Sequence, residues 1–307
     1  MIDPTAAATA LEGVVRRTPV VSVAREDLGL APGRPIEFKL ESLQYSGTFK
    51  ARGASHFMVR NEIGPAGVVA ASGGNHGAAV AWAAKVRGHD ANIFVPTISS
   101  PAKVARLRSY GATVHQIGAV YSESLEASQA FQADSGATSI HAYDHPDVIA
   151  GAGTTSLEFV RQTDGLDTML LACGGGGLSG GAAVAVGGDV RIVVCEGETT
   201  SAFAAALDAG KPVDVEVSGV TADALGATRI GGLAWEALSA AGAVSALVGD
   251  AEVMAARQLL WDALRVVVEP AVATTVAALT AGVYVPDPDE RVGVVLCGAN
   301  TRTDDLS

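Results

Sequence analysis

The chain has 307 residues, 49% of them hydrophobic and 18% charged, with a formal net charge of −12. Such a length suits about two packed domains, and the composition excludes a disordered chain. An acidic surface repels phosphate backbones and anionic lipid, so neither nucleic acid nor a membrane is expected as a partner.

The first residues, Met1-Ile2-Asp3-Pro4, lack the basic start and apolar core of a signal peptide, and no apolar run approaches the roughly 20 residues that span a bilayer. Cys173, Cys195 and Cys297 are odd in number, far apart and without zinc-ligand spacing. A reduced, cytoplasmic protein is expected.

In chain order, short β-branched runs at 36–40, 67–71, 91–95, 113–117, 168–172, 191–195 and 292–297 predict strands. Alanine-rich segments at 77–87, 101–109, 122–134, 148–162 and 251–264 predict helices between them. Ser100 can cap the second of these, and Pro101 suits its first turn. The alternation predicts an α/β protein with open, largely parallel sheets covered by helices on both faces. No linker or repeat divides the chain, so two interleaved domains are expected, a large one from 1–51 plus 146–307 and a small one from 52–145. Sheets of this kind bind ligands beyond the carboxyl ends of their strands, and the strand-to-helix loops are where chemistry belongs.

Three loops qualify. Cys173-Gly174-Gly175-Gly176-Gly177-Leu178-Ser179-Gly180 follows the strand at 168–172 and opens an alanine-rich helix. Consecutive glycines let backbone N–H groups converge on an anion, and a helix start adds partial positive charge, so a phosphate is the expected guest. A mere tight turn does not need four glycines in a row. The order fits G-x-G-x-x-G poorly, which disfavours a dinucleotide. Ser72-Gly73-Gly74-Asn75-His76-Gly77 follows the strand at 67–71, and Asn75 there suits an N-cap as well as a ligand contact. The third is Ser46-Gly47-Thr48-Phe49-Lys50-Ala51-Arg52-Gly53-Ala54. A single lysine is usually a solvated surface charge. An amine, a phosphate cradle and a polar clamp together are the parts a pyridoxal 5′-phosphate (PLP) enzyme requires.

In order and content these motifs resemble the serine/threonine dehydratase group of the fold-type II (tryptophan synthase β-like) PLP enzymes. The resemblance runs from Arg16-Arg17-Thr18-Pro19-Val20 through Thr48 to Gly53, Ser72 to Gly77 and Tyr143-Asp144-His145-Pro146-Asp147-Val148-Ile149-Ala150-Gly151-Ala152-Gly153-Thr154. It continues in the glycine loop and closes with Glu269-Pro270 and Cys297-Gly298-Ala299-Asn300. It implies that Lys50 holds PLP as a Schiff base and acts as the general base, with Phe49 beside the ring. Asn75 would hydrogen-bond the ring hydroxyl, and Gly174, Gly175, Gly176, Gly177 and Leu178 would hold the phosphate. Cys297 stands where the family usually sets a serine against the pyridine nitrogen, a neutral partner that suits prompt β-elimination. Ser72, Asn75 and His76 would receive the substrate carboxylate. The family's cation site would begin at Glu196 and include the Thr200 carbonyl, for a monovalent or divalent ion. Ala202 stands where racemases carry an aspartate, and Glu196 as a helix-capping acid is the competing role.

The implied function is that of a lyase of amino-acid metabolism, a homodimeric serine or threonine dehydratase giving 2-oxobutanoate or pyruvate plus ammonia. Serine racemases have a serine where this chain has Gly73, and glycine cannot transfer a proton, which favours elimination. A 3-hydroxyaspartate dehydratase or a serine racemase is the alternative within the family; the sequence shows no dedicated cation for a second carboxylate, Arg229 being a candidate. Outside it stands a non-catalytic protein that binds a phosphorylated ligand through the two glycine-rich loops.

Overall fold

Thr168–Ala172 is buried along its whole length near the middle of a six-stranded sheet, as expected of an apolar run enclosed by helices on both faces. The computed structural model describes residues 1–306. Its strands are β1 (Val20–Val23), β2 (Ile36–Lys39), β3 (Val68–Ala71), β4 (Ala91–Val95), β5 (Thr113–Gln116), β6 (Thr138–Ser139), β7 (Thr168–Ala172), β8 (Arg191–Gly197), β9 (Val244–Val248) and β10 (Val292–Val295). One sheet has the order β1-β2-β10-β7-β8-β9 and the other β5-β4-β3-β6. The chain begins the first sheet, leaves to build the second, and returns to finish the first, so the two α/β units are interleaved. Every pairing between these strands is parallel except β1 with β2.

The predicted helices form with small extensions at their ends. Pro101–Ser109 starts where the sequence places it, with the Ser100 hydroxyl accepting from the Lys103 N–H at 3.4 Å. Pro146–Gln162 begins two residues earlier than expected because His145 caps it and Pro146 fits its first turn. Strands β1, β6 and β9 and the helices Pro4–Ala10, Lys50–Arg60, Ala202–Ala209, Gly232–Ala240 and Pro270–Thr280 were not among the predicted elements. One hydrophobic core covers both faces of the six-stranded sheet, and a second surrounds β3 and β4. Among the described residues no helix is long and apolar enough to cross a membrane.

The position of the third loop follows from strand order. β10 lies between β2 and β7, and the residues just beyond it grip the segment that precedes Lys50. Thr48 bridges Gly298, and the Phe49 N–H donates to the Cys297 carbonyl at 3.0 Å. The helix Lys50–Arg60 starts from that clamp. Two residues on, the buried Arg52 guanidinium donates to both carboxylate oxygens of Glu41 and of Glu158. Lys39 Nζ reaches Glu158 Oε1 at 2.5 Å and the Thr18 carbonyl at 2.8 Å. A buried network of this kind contributes little net stability, yet removing one member strands a charge at a cost of about 3–5 kcal/mol, so it fixes the orientation of the helix that carries Lys50.

Candidate active site

Lys50, His76, Phe49, Ala142 and Gly177 line one small enclosed cavity, which brings the three predicted loops together. Lys50 Nζ donates to the Ala142 carbonyl at 2.7 Å and lies 5.1 Å from the centre of the Phe49 ring. Burial, the dominant cause, pulls the amine down from 10.5 to about 8. Among the described residues no carboxylate is paired with it. An amine that loses its proton this easily has the character of a nucleophile and a base, unlike a solvated surface lysine.

The glycine loop is shaped by close approach. Gly176 adopts φ +86°, and a Cβ at Gly174 would come within 2.9 Å of the Leu225 backbone. A Cβ at Gly175 would overlap the ring of Tyr143, and one at Gly177 would meet the Tyr143 Cβ at 3.0 Å. Among the described residues, the N–H groups of Gly174, Gly175, Gly177 and Leu178 donate to no protein group, while that of Gly176 faces the Cys173 thiol. Orphan donors at the start of the helix Gly177–Val186 form a cradle for a phosphate-sized anion.

Across the cavity, the His76 ring gives Nε2 to the Ile140 carbonyl at 2.8 Å. Burial, followed by the nearby Lys50, pushes His76 down to about 3, so the ring is neutral and carries its proton on Nε2. It can offer a carboxylate no charge. Ser72 accepts from the Gly74 N–H at 3.3 Å, which leaves its own hydroxyl proton to give. Asn75 Nδ2 donates to Glu269 Oε2 at 2.7 Å.

Cys297 follows β10 and is buried, as are Cys173 and Cys195. Burial, and then the adjacent Glu269, holds its thiol well above the usual range, so it is neutral. Glu269 and Asn300 join Cys297 in this corner. The Asn300 N–H donates to Glu269 Oε1 at 2.9 Å, and Asn300 Nδ2 donates to Asn75 Oδ1 at 2.8 Å.

Glu196 and Thr200 form a separate locus. The Glu196 carboxylate accepts the N–H groups of Phe203 and Ala204 at 2.8 and 3.0 Å, which satisfies the start of the helix Ala202–Ala209. Burial raises it to about 7. The Thr200 hydroxyl pairs with that of Thr221 at 2.9 Å. Among the described residues no cluster of three or more His, Cys, Asp or Glu side chains assembles. Arg229, the candidate cation for a second carboxylate, forms a bidentate pair with Asp214 at the rim of an open pocket of about 390 Å³ that His141, Tyr143 and Ile230 also line.

Four residues of this site were not singled out from the sequence: Ala142, Tyr143, Glu269 and Asn300. Apart from Ala142, which directly precedes one, they lie inside quoted motifs, but their roles come from contacts across the two sheets. The helix-start pair Glu269-Pro270 was the one local signal available, since a capping acid before proline marks a helix N-terminus.

The family model described as pyridoxal-phosphate dependent enzyme matches residues 11–298. The chain belongs to that family. It is 34% identical over 292 residues to phenylserine dehydratase from Ralstonia pickettii, covering 94% of this chain and 89% of the relative. Its fold superposes on that of a T.th. threonine deaminase with a TM-score of 0.90 at 31% identity, over 98% of each chain. Maize serine racemase gives the same TM-score at 30% identity, over 97% of this chain and 93% of the other. The fold is therefore that of the fold-type II PLP enzymes, and PLP is the cofactor of the family.

Proposed function

We propose that the protein is a PLP-dependent ammonia-lyase that removes water and then ammonia from L-threonine or L-serine, giving 2-oxobutanoate or pyruvate. The observation that carries this is the Lys50 amine, whose proton affinity is lowered to about 8, in a cavity that His76 of the second loop and Gly177 of the glycine loop also line. The residues fit PLP: Lys50 to bond its carbonyl carbon, Gly174 to Leu178 for its phosphate, Asn75 for its ring hydroxyl and Cys297 for its ring nitrogen. When bound, the cofactor supplies an electron sink that acidifies the Cα–H of an amino acid.

The chain's own residues do the rest. Lys50 Nζ, free of any carboxylate, is the base that takes the Cα proton. Neutral His76 leaves a substrate carboxylate to the loop N–H groups and the Ser72 hydroxyl. Gly73 carries no side chain, so no group at that position returns a proton to the other face of Cα. A neutral Cys297 gives the ring nitrogen no anionic partner to hold a proton there, which limits build-up of carbanion and favours early departure of the β-hydroxyl. The site is a small enclosed cavity lined by these loops, and enclosure of this kind strengthens such contacts.

The test is to give purified protein PLP, record its spectrum, add L-threonine or L-serine, and measure 2-oxo acid beside the Lys50→Ala variant. Visible absorbance and oxo acid in the parent, both lost in the variant, are expected. Oxo acid formed by Lys50→Ala at the parental rate would remove Lys50 from the reaction. The second substrate reading, 3-hydroxyaspartate, has the support of relatives such as the beta-hydroxyaspartate dehydratase of Paracoccus denitrificans, 30% identical over 313 residues, but Asp214 already occupies the guanidinium of Arg229 at the rim.

A further inference from the structure

Asn75, Glu269 and Asn300 form a closed ring of hydrogen bonds in which the direction of every bond is forced. Asn300 Nδ2 donates to the Ser46 carbonyl at 2.9 Å, an atom that can only accept, so the nitrogen end of that amide is fixed. Its second hydrogen goes to Asn75 Oδ1 at 2.8 Å, which places Asn75 Nδ2 toward Glu269 Oε2 at 2.7 Å. The other oxygen of Glu269 takes the Asn300 N–H at 2.9 Å. Glu269 is only 5% exposed and, among the described residues, has no cationic partner within ion-pair distance. Two convergent N–H donors are what a carboxylate buried without a counter-ion requires.

From this ring we infer that Glu269 is a positioning residue: it locks the Asn75 amide so that its one remaining Nδ2 hydrogen faces the cofactor. The inference rests on the reading that PLP sits at Lys50. With Oδ1 turned to Asn300 and one hydrogen given to Glu269, Asn75 presents its second Nδ2 hydrogen to its ligand as a donor. It therefore selects the deprotonated, accepting form of the ring hydroxyl. Glutamine cannot replace Glu269, because its amide nitrogen must face either Asn75 Nδ2 or the Asn300 N–H, a donor against a donor. Flipping Asn75 only moves the clash to Asn300 Nδ2.

The experiment is a double-mutant cycle on apo protein refilled with PLP, with Glu269→Gln and Asn75→Ala, read by the PLP dissociation constant and by the pH at which the visible band of the bound cofactor changes. Glu269→Gln alone is expected to weaken PLP by about tenfold or more, the scale of one buried unmatched donor, and to move the midpoint of the band. On the Asn75→Ala background the same change should have almost no effect. Equal effects on both backgrounds overturn the inference. If Glu269→Gln does not fold, as judged by circular dichroism and thermal melting of the apo form, Asn300→Ala takes its place in the cycle, with the same expected coupling and the same overturning result. A parent protein that takes up no PLP refutes the site reading itself, and is distinguishable because it is seen before any variant is compared.

Discussion

Lys50 Nζ is held by a single neutral acceptor, the Ala142 carbonyl at 2.7 Å, at the end of a side chain whose environment disfavours its charge. The unfolded chain keeps its proton up to about 10.5, whereas the folded apo protein releases it near 8. Between these values the unfolded state binds more protons, so stability rises with pH. The apo form of Lys50→Met should accordingly be more stable than the parent at pH 7, by roughly 3 kcal/mol at most, with the difference fading toward pH 10. Urea titrations of both apo proteins at several pH values measure this; a constant difference would show that the amine is not strained by burial.

Gly175 faces the ring of Tyr143 with no space for a methyl group. Gly175→Ala should cost about 1–3 kcal/mol through overpacking and push the ring away from the cradle, lowering PLP affinity. Adding Tyr143→Ala should restore part of that affinity. Equilibrium dialysis of PLP against the single and double variants reads the outcome.

Gly73 is different. A Cβ there meets Val95 Cγ1 at 3.4 Å and the Ser99 hydroxyl at 3.5 Å, which are ordinary contacts. Gly73→Ser should fold with a stability change within about 0.5 kcal/mol. With a hydroxyl at that position, D-amino acid should appear beside the oxo acid when L-serine is supplied, as chiral chromatography would reveal. Elimination alone, at the parental rate, would show that the absent side chain does not govern the outcome.

Glu196 titrates near 7 in the folded protein against 4.5 when unfolded, because burial disfavours its charge. The folded state then holds the proton more tightly, so this group makes stability fall as pH rises from about 4.5 to 7. Glu196→Gln should flatten that slope. If the carboxylate also holds a cation, K⁺ or Mg²⁺ at pH 8 should raise the melting temperature of the parent and leave Glu196→Gln unchanged; equal shifts in both remove Glu196 from any cation site.

Much of the framework was legible because it is local. Runs such as Thr168–Ala172 announce themselves by their continuous apolar content, and Pro101–Ser109 by its cap and proline. β6 escaped because it has only two residues, whereas β1 and β9 expose apolar positions, Val21 in one and Val244 and Leu247 in the other, so neither shows a clean alternation of apolar and polar faces. Lys50–Arg60 escaped because its first turn holds a half-buried lysine and a buried arginine, and the placement of that arginine depends on Glu41 and Glu158 elsewhere in the chain. The same distinction runs through the site. The glycine cradle is written in consecutive residues, whereas the clamp on Asn75 joins partners 194 and 225 positions away.

The clamp on the lysine segment also sets an order of events during synthesis. Lys50 leaves the ribosome early, but Thr48 and Phe49 are held by Gly298 and Cys297, and Ser46 by Asn300, 254 residues downstream. The four-stranded sheet, built wholly from residues 68–139, can close while translation continues. The amine cannot be locked in place until residues 297–300 have emerged, so a nascent chain that stops before them has no organised seat for a reactive aldehyde.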